Sequence, residues 1–394
     1  MAIEAVDPRA RGLRPRRQAE AVGVSGALRR LDWLLFAALV AVTAYGLWAL
    51  DGITMRDPGG SALSRQALYA VAGAGFFVAA LAVDPDTYRR VWRPIYFGTL
   101  GIMVFVLAAG AATRGSKRWV DVGVFTFQPS EFGKVLFVLA LAGCIVERRH
   151  SIQSAATSLA TIGYAVFPIL LVFVQPDFGT ALVYLAALAA ILFVAGVRWS
   201  HLAALAVVTA VAALGILWFL PAAGINVLKP YQAQRLTGFT HPENDPRGAT
   251  YNVRQSIIAV GAGGLRGRGV VGATQTGLDY LPEHSTDFAF ASLAEEHGFM
   301  GAAILLLLYL LIVWRALKIV ASARDLYCAV VAGAIAFMFM FQVFVNSAMA
   351  MGAAPITGIP LPFVSVGGSS LITNFLAIGV LQAIHIRRAV RRRG

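Results

Sequence analysis

Three groups of ionisable residues stand where an apolar chain gives them little company, and each could do chemistry. Glu131 and Lys134 are three residues apart, so any helix containing them puts them on one face within pairing distance. A Glu-Lys pair in the first turn of an apolar helix favours a polar cavity over lipid. Glu283 and Asp287 are four apart in LeuProGluHisSerThrAspPhe, 281–288, directly before an apolar run. A carboxylate at such a boundary resists ionisation and can accept a proton at neutral pH. The plainer alternative has Thr286 or Asp287 capping a helix that begins at Phe288, with Glu295 and Glu296 solvated. Arg114, Lys117 and Arg118, beside Trp119, form the third group. Their anionic partner is either lipid phosphate or a substrate pyrophosphate, whose departure they would assist.

A weak internal echo joins two of these positions. GlnProSerGlu at 128–131 and GlnProAspPhe at 175–178 each precede an apolar run. Proline at a first helical position followed by an acid is a helix-start signal. Dipole compensation at two helix N-termini is thus the plainer reading of Glu131 and Asp177. His284 and His297 have no metal-ligand spacing with other His or Cys and read as loop residues.

The elements that must position these groups are transmembrane helices. Of 394 residues 58% are hydrophobic and 13% charged, against about a quarter charged in soluble domains. Apolar runs long enough to cross roughly 30 Å of hydrocarbon fall at 33–50, 67–83, 94–112, 130–146, 155–174, 178–197, 200–220, 298–314, 327–350 and 369–386. The expected fold is therefore an all-α integral membrane protein of about ten helices. Continuous runs instead of alternation argue against a β-barrel.

The formal charge of +13 sits in short clusters beside the apolar runs, as topology determinants do, which disfavours nucleic acid as a partner. With both termini inside, the cytoplasmic segments hold 21 Lys and Arg, whereas the short outer loops hold five: Arg56, Arg65, Arg114, Lys117 and Arg118. That asymmetry predicts N-in, C-in, with a long extracytoplasmic loop at 221–297 between helices seven and eight. Residues 1–30 read as a disordered basic cytoplasmic tail, 31–388 as one polytopic domain and 389–394 as a second basic tail. Cys144 and Cys328 fall inside spans and indicate neither disulfide nor metal cluster. Residues 251–263 carry an apolar face at helical spacing, which predicts an interfacial helix. The glycines after it match no nucleotide-binding spacing and read as turns.

The ordered motifs then resemble a known family. They are ArgTrp at 118–119, GlnProSerGluPheGlyLys at 128–134, GlnProAspPheGlyThr at 175–180 and TyrGlnAlaGlnArgLeu at 231–236. HisProGluAsnAspProArgGlyAlaThrTyr at 241–251, GlyGlyLeuArgGlyArgGly at 263–269, LeuProGluHisSerThrAspPhe at 281–288 and ThrGlyIleProLeuProPhe at 357–363 follow. Over nearly all of residues 30–388 the chain resembles the SEDS (shape, elongation, division and sporulation) proteins, and the last motif favours their elongation branch over the division branch. Two positions depart from the family pattern: Val366 stands where tyrosine is usual, and Ser285 where a polar or histidine residue is usual.

The resemblance implies a multi-pass protein of the bacterial cytoplasmic membrane that polymerises lipid II, a disaccharide-pentapeptide on an undecaprenyl pyrophosphate, into a growing glycan strand. By resemblance Asp287 matches the family's essential aspartate, the base for the acceptor hydroxyl. Glu131 and Lys134 match a pair that holds either the site or the pyrophosphate, and Arg118, Asp177, Arg235 and Glu283 match recurrent family positions. A class B penicillin-binding transpeptidase is the implied partner, with helices eight and nine as its docking surface. A divalent cation on the pyrophosphate is compatible, although no spacing demands one. The alternative is a flippase for lipid-linked precursors. It would need a path across the bilayer, and the spans' central portions carry no clear chain of ionisable groups.

Overall fold

The computed structural model describes residues 29–55, 62–109, 111–113, 116–121, 126–224 and 249–391. Most of the first tail, Arg56, Arg114, Arg235, the motif at 231–236 and most of that at 241–251 lie outside them, as does 392–394. Within them eight helices are long and apolar enough to cross a membrane, and two shorter apolar helices accompany them.

The helices are α1 (Trp33–Ile53), α2 (Ala62–Ala82), the short α3 (Pro85–Arg90), α4 (Trp92–Ala109), α5 (Pro129–Glu147), α6 (Ala155–Val174), α7 (Phe178–Val194), α8 (Trp199–Leu214), α9 (Ala249–Gly263), α10 (Ala289–Ala321), α11 (Leu326–Ala350) and α12 (Gly368–Arg391). Side-chain caps start many of them. Asp32 accepts from the Leu35 amide at 3.1 Å and Asp325 from the Cys328 amide at 2.9 Å, satisfying amides that a helix start leaves without partners.

α5, α11 and α12 form the buried centre, whereas α8 has no buried residue along its length and continues through a π turn at Gly215–Phe219. Cys144 and Cys328 are buried free thiols, packed as small apolar side chains.

One end of the bundle is tied by charge. The Arg315 Nε donates to Asp32 Oδ2 at 3.0 Å, and the Gln382 amide exchanges two 2.9 Å bonds with the Asp32 backbone. Arg324 meets Asp86 at 2.6 Å and Arg387 meets Asp84 at 3.5 Å. The start of α1 and the end of α12 therefore lie together at one end of the bundle.

Three expectations change. The third span ends at Ala109, and the chain enters three short antiparallel strands, β1 (Ala111–Thr113), β2 (Ser116–Asp121) and β3 (Thr126–Phe127), in the order β1-β2-β3. The fold is thus helical with a small strand element, and Lys117 and Arg118 belong to β2. The eighth helix begins at Ala289, not 298, and runs to Ala321 through a kink at Gly298. That extension makes His297 helical and buries Glu295 and Glu296, which only the plainer alternative had left solvated. Lastly, α12 continues to Arg391 beyond the expected tail boundary at 389.

The kink explains the glycines of 263–269. Gly298 has φ 64° and ψ −164°, a conformation essentially confined to glycine. Its backbone lies against Arg266 and Gly267, where a Cβ would collide with main-chain atoms. The Arg268 amide donates to the Glu295 carbonyl at 2.9 Å and the Phe299 amide to the Gly264 carbonyl at 2.8 Å, so the turn supplies partners where the kink interrupts the helical ladder. Gly298→Ala is expected to cost at least about 2 kcal/mol and to lower the thermal unfolding midpoint in detergent. Gly163→Ala, at an open helical position, should leave the midpoint unchanged.

Candidate active site

The two GlnPro motifs meet in space. The Gln128 Nε2 donates to Asp177 Oδ2 at 2.6 Å, and the Ser130 hydroxyl donates to the same oxygen at 3.1 Å. Asp177 Oδ1 accepts from the Thr180 amide at 3.3 Å and so caps α7. Its plainer reading therefore stands, with an added role as a clasp between the first turns of α5 and α7. Tyr184 reaches the Ser130 carbonyl at 3.0 Å. Gly179 lets α7 approach the backbone at Thr357, where a Cβ would clash with the Thr357 carbonyl.

Glu131 and Lys134 pair as their spacing predicts, with Lys134 Nζ 2.7 Å from Glu131 Oε2. They are 3% and 2% exposed and enclosed in the protein. Lys134 also donates to Gln342 Oε1 at 3.2 Å, so α11 supplies a neutral third member. Charges this deep require such company, because the desolvation cost of an unpaired ion exceeds most single contacts.

Gln342 leads to Asp287. One turn along α11, about 6 Å, Asn346 Nδ2 donates to the Asp287 carbonyl at 2.9 Å and to the Ile359 carbonyl at 2.8 Å. The half-buried turn holding Asp287 is pinned from the other side too. The Ser365 hydroxyl donates to the Thr286 carbonyl at 2.5 Å, and the Val366 amide to the Ser285 carbonyl at 2.9 Å. The two departures from the family pattern, Ser285 and Val366, are thus direct neighbours. Glu283, at φ 57°, accepts from the Thr286 hydroxyl at 2.7 Å. The cap position of α10 is Phe288, which has no capping side chain, so the capping reading of Thr286 and Asp287 does not hold.

The irregular segment between α11 and α12 is the hub. Ile356, Ile359, Leu361, Phe363 and Val364 are buried. Irregular backbone persists at this depth only where its polar groups find partners. Here Gln66 bonds the Ser365 carbonyl at 3.0 Å, Ser365 accepts from the Leu361 amide at 2.9 Å, and Tyr309 donates to the Pro362 carbonyl. At its end Ser369 accepts from the Gln128 amide at 2.9 Å and donates to the Thr126 carbonyl at 3.0 Å, returning to the start of α5.

The structure therefore brings together Glu131, Lys134 and Asp177, and connects them through α11 and the hub to Asp287 and Glu283. A search for charges misses Gln342, Asn346, Gln128, Ser130 and Ser365, which are neutral. Two amides four apart inside the apolar run 327–350 were the available signal. Asn346→Leu is expected to slow any reaction that uses Asp287 on the order of 10- to 100-fold by releasing its backbone; initial rates compared at equal folded protein check this. Among the described residues no three His, Cys, Asp or Glu gather to hold a metal.

A family model described as Cell cycle protein, FTSW_RODA_SPOVE, matches residues 28–389. The peptidoglycan glycosyltransferase MrdB of Escherichia coli (strain K12) is 38% identical over 360 residues, 90% of this chain and 92% of that one. A solved chain from "Structural coordination of polymerization and crosslinking by a peptidoglycan synthase complex" superposes with a TM-score of 0.76 at 28% identity, covering 91% of this chain and 98% of that one. The rod shape determining protein RodA of Thermus thermophilus superposes with a TM-score of 0.67 at 26% identity, covering 91% and 97%. With agreement running from α1 to α12, the chain belongs to the cell cycle protein family of FtsW, RodA and SpoVE.

Proposed function

We propose that this multi-pass protein of the bacterial cytoplasmic membrane is a peptidoglycan glycosyltransferase of the elongation type, joining lipid II into glycan strands at the outer face with Asp287 as its base. The Asp287 carboxylate removes the proton of the acceptor sugar hydroxyl. The freed oxygen bonds to the anomeric carbon of the donor as its bond to the pyrophosphate oxygen breaks, and undecaprenyl pyrophosphate leaves with the electron pair. Arg114, Lys117, Arg118 and Arg235 are assigned to that departing charge. Lys134 is spoken for by Glu131 and Gln342, so this pair is assigned to holding the site. Glu283 and Asp177 shape the turn and the α5–α7 clasp.

The observation that carries the proposal is the triple pinning of the Asp287 turn, by Asn346, Ser365 and Val366. A catalytic carboxylate must be held to a fraction of an ångström, and a turn that merely connects helices has no need of it. The chain's likeness to a chain solved in a peptidoglycan synthase complex supports a crosslinking partner. The finer reading is a class B penicillin-binding transpeptidase on α10 and α11, where Phe299, Leu307 and Leu310 present an outward apolar stripe.

Purified chain incubated with lipid II should yield polymer on a gel. Translocation of lipid II across vesicles without polymer would replace the enzyme with a flippase. Orientation has its own check, because both native thiols are buried. Leu278→Cys, exposed close to the site, should react with an impermeant maleimide in intact cells, and Arg198→Cys only after permeabilisation. The reverse pattern would place Asp287 in the cytosol and end the mechanism.

A further inference from the structure

We propose that a basic cavity at the opposite end of α5 binds the phosphate headgroup of an anionic bilayer phospholipid. The cavity encloses about 510 Å³ and is lined by Arg89, Arg90, Arg93 and Arg149, with Glu147 and Trp92 among its other walls. Glu131 lies in the first turn of α5 and Glu147 closes it, so roughly 20–24 Å of helix rise separates this cavity from the Glu131–Lys134 pair. The proposal is independent of the glycosyl-transfer reading.

Its charge is only partly answered within the protein. Arg93 meets Glu147 at 2.9 Å and Arg89 meets Asp86 at 3.9 Å, but both pairs are substantially exposed. Such pairs hold weakly and exchange readily for a better anion. Among the described residues Arg90 has no side-chain partner, and the Arg149 guanidinium meets only the His150 ring, at 3.4 Å. Guanidinium forks match phosphate oxygens in pairs.

A lipid fits better than a free anion because the cavity continues into an apolar surface. Arg93, Phe97 and Val104 lie on one face of α4. Phe97 is 63% and Val104 50% exposed, on a helix that belongs in hydrocarbon. Trp92 is buried beneath, with the Arg93 guanidinium 5.2 Å from its ring centroid. A phosphate held by the arginines thus leaves its acyl chains along Phe97 and Val104. By the charge asymmetry of the loops this end faces the cytoplasm, where the leaflet is anionic and basic pockets between helices take such headgroups.

The full-length chain, purified in detergent and titrated separately with cardiolipin, phosphatidylglycerol and phosphatidylcholine, can be followed by native mass spectrometry. Expected is retention of the anionic lipids over phosphatidylcholine. Arg90→Gln with Arg149→Gln should weaken it on the order of 30-fold, and Arg30→Gln with Arg198→Gln, removing the same charge elsewhere, should leave it unchanged. Equal retention by the first double variant would overturn the proposal, as would equal loss in the second. Inorganic phosphate saturating the cavity with no preference among the lipids would make it a free-anion site and overturn it too.

Discussion

Replacing Asp287 by Asn is expected to lower the initial rate of lipid II polymerisation by about 10²- to 10⁴-fold, the usual contribution of a positioned base, with no comparable loss of folded protein. The substitution keeps the side-chain shape and removes only the charge and the basicity. The turn is held through its backbone, by Asn346 on the Asp287 carbonyl and Ser365 on the Thr286 carbonyl, and the substitution leaves both bonds in place. Asp287→Glu retains a base but displaces it by one methylene, and should recover part of the rate. Polymer from Asp287→Asn at the wild-type rate would remove the base from the mechanism, and unchanged thermal unfolding would show that misfolding is not the cause of a loss.

The apolar helices were legible because lipid imposes a length and a composition that any window detects. The chemistry between them was legible only where it was charged. Glu131, Lys134 and Asp177 were found because an ion in an apolar run stands out. Gln342 and Asn346, which join them to Asp287, escaped because amides in a long apolar run resemble tolerated polar residues. The kink at Gly298 escaped for a different reason. It depends on the distant turn at Gly264–Arg268, whose amides and carbonyls complete the broken ladder, and neither segment signals the other. Glu295 is buried because Gln275 and Thr276 supply three hydrogen bonds of 2.8–2.9 Å from another part of the chain, which its own sequence neighbours do not announce. The 351–368 segment is punctuated by Gly and Pro and shows no continuous apolar run. Its alternating Ile359, Leu361 and Phe363 are instead buried, and it is the core that links α2, α5, α7, α10 and α11.

Lys134→Met should be the most damaging of the stability variants. It leaves Glu131, 3% exposed, as a buried carboxylate without its cation, and breaking a buried pair from one side typically costs about 3–5 kcal/mol. The methionine fills much of the lysine volume, so the loss isolates charge from packing. Glu131→Gln with Lys134→Met removes both charges together, and a neutral pair of similar shape is often as stable as the ionic one. The unfolding midpoint in detergent should therefore drop sharply in the single variant and return close to wild type in the double. Polymerisation separates the two roles open to the pair. If Lys134 neutralised the departing pyrophosphate, the double variant would remain inactive despite its restored stability. The pair is closed at 2.7 Å and bonded onward to Gln342, the same face of α11 that holds the Asp287 turn. The double variant should accordingly keep polymerisation within about tenfold of wild type, whereas the Asp287 variant, equally well folded, should not.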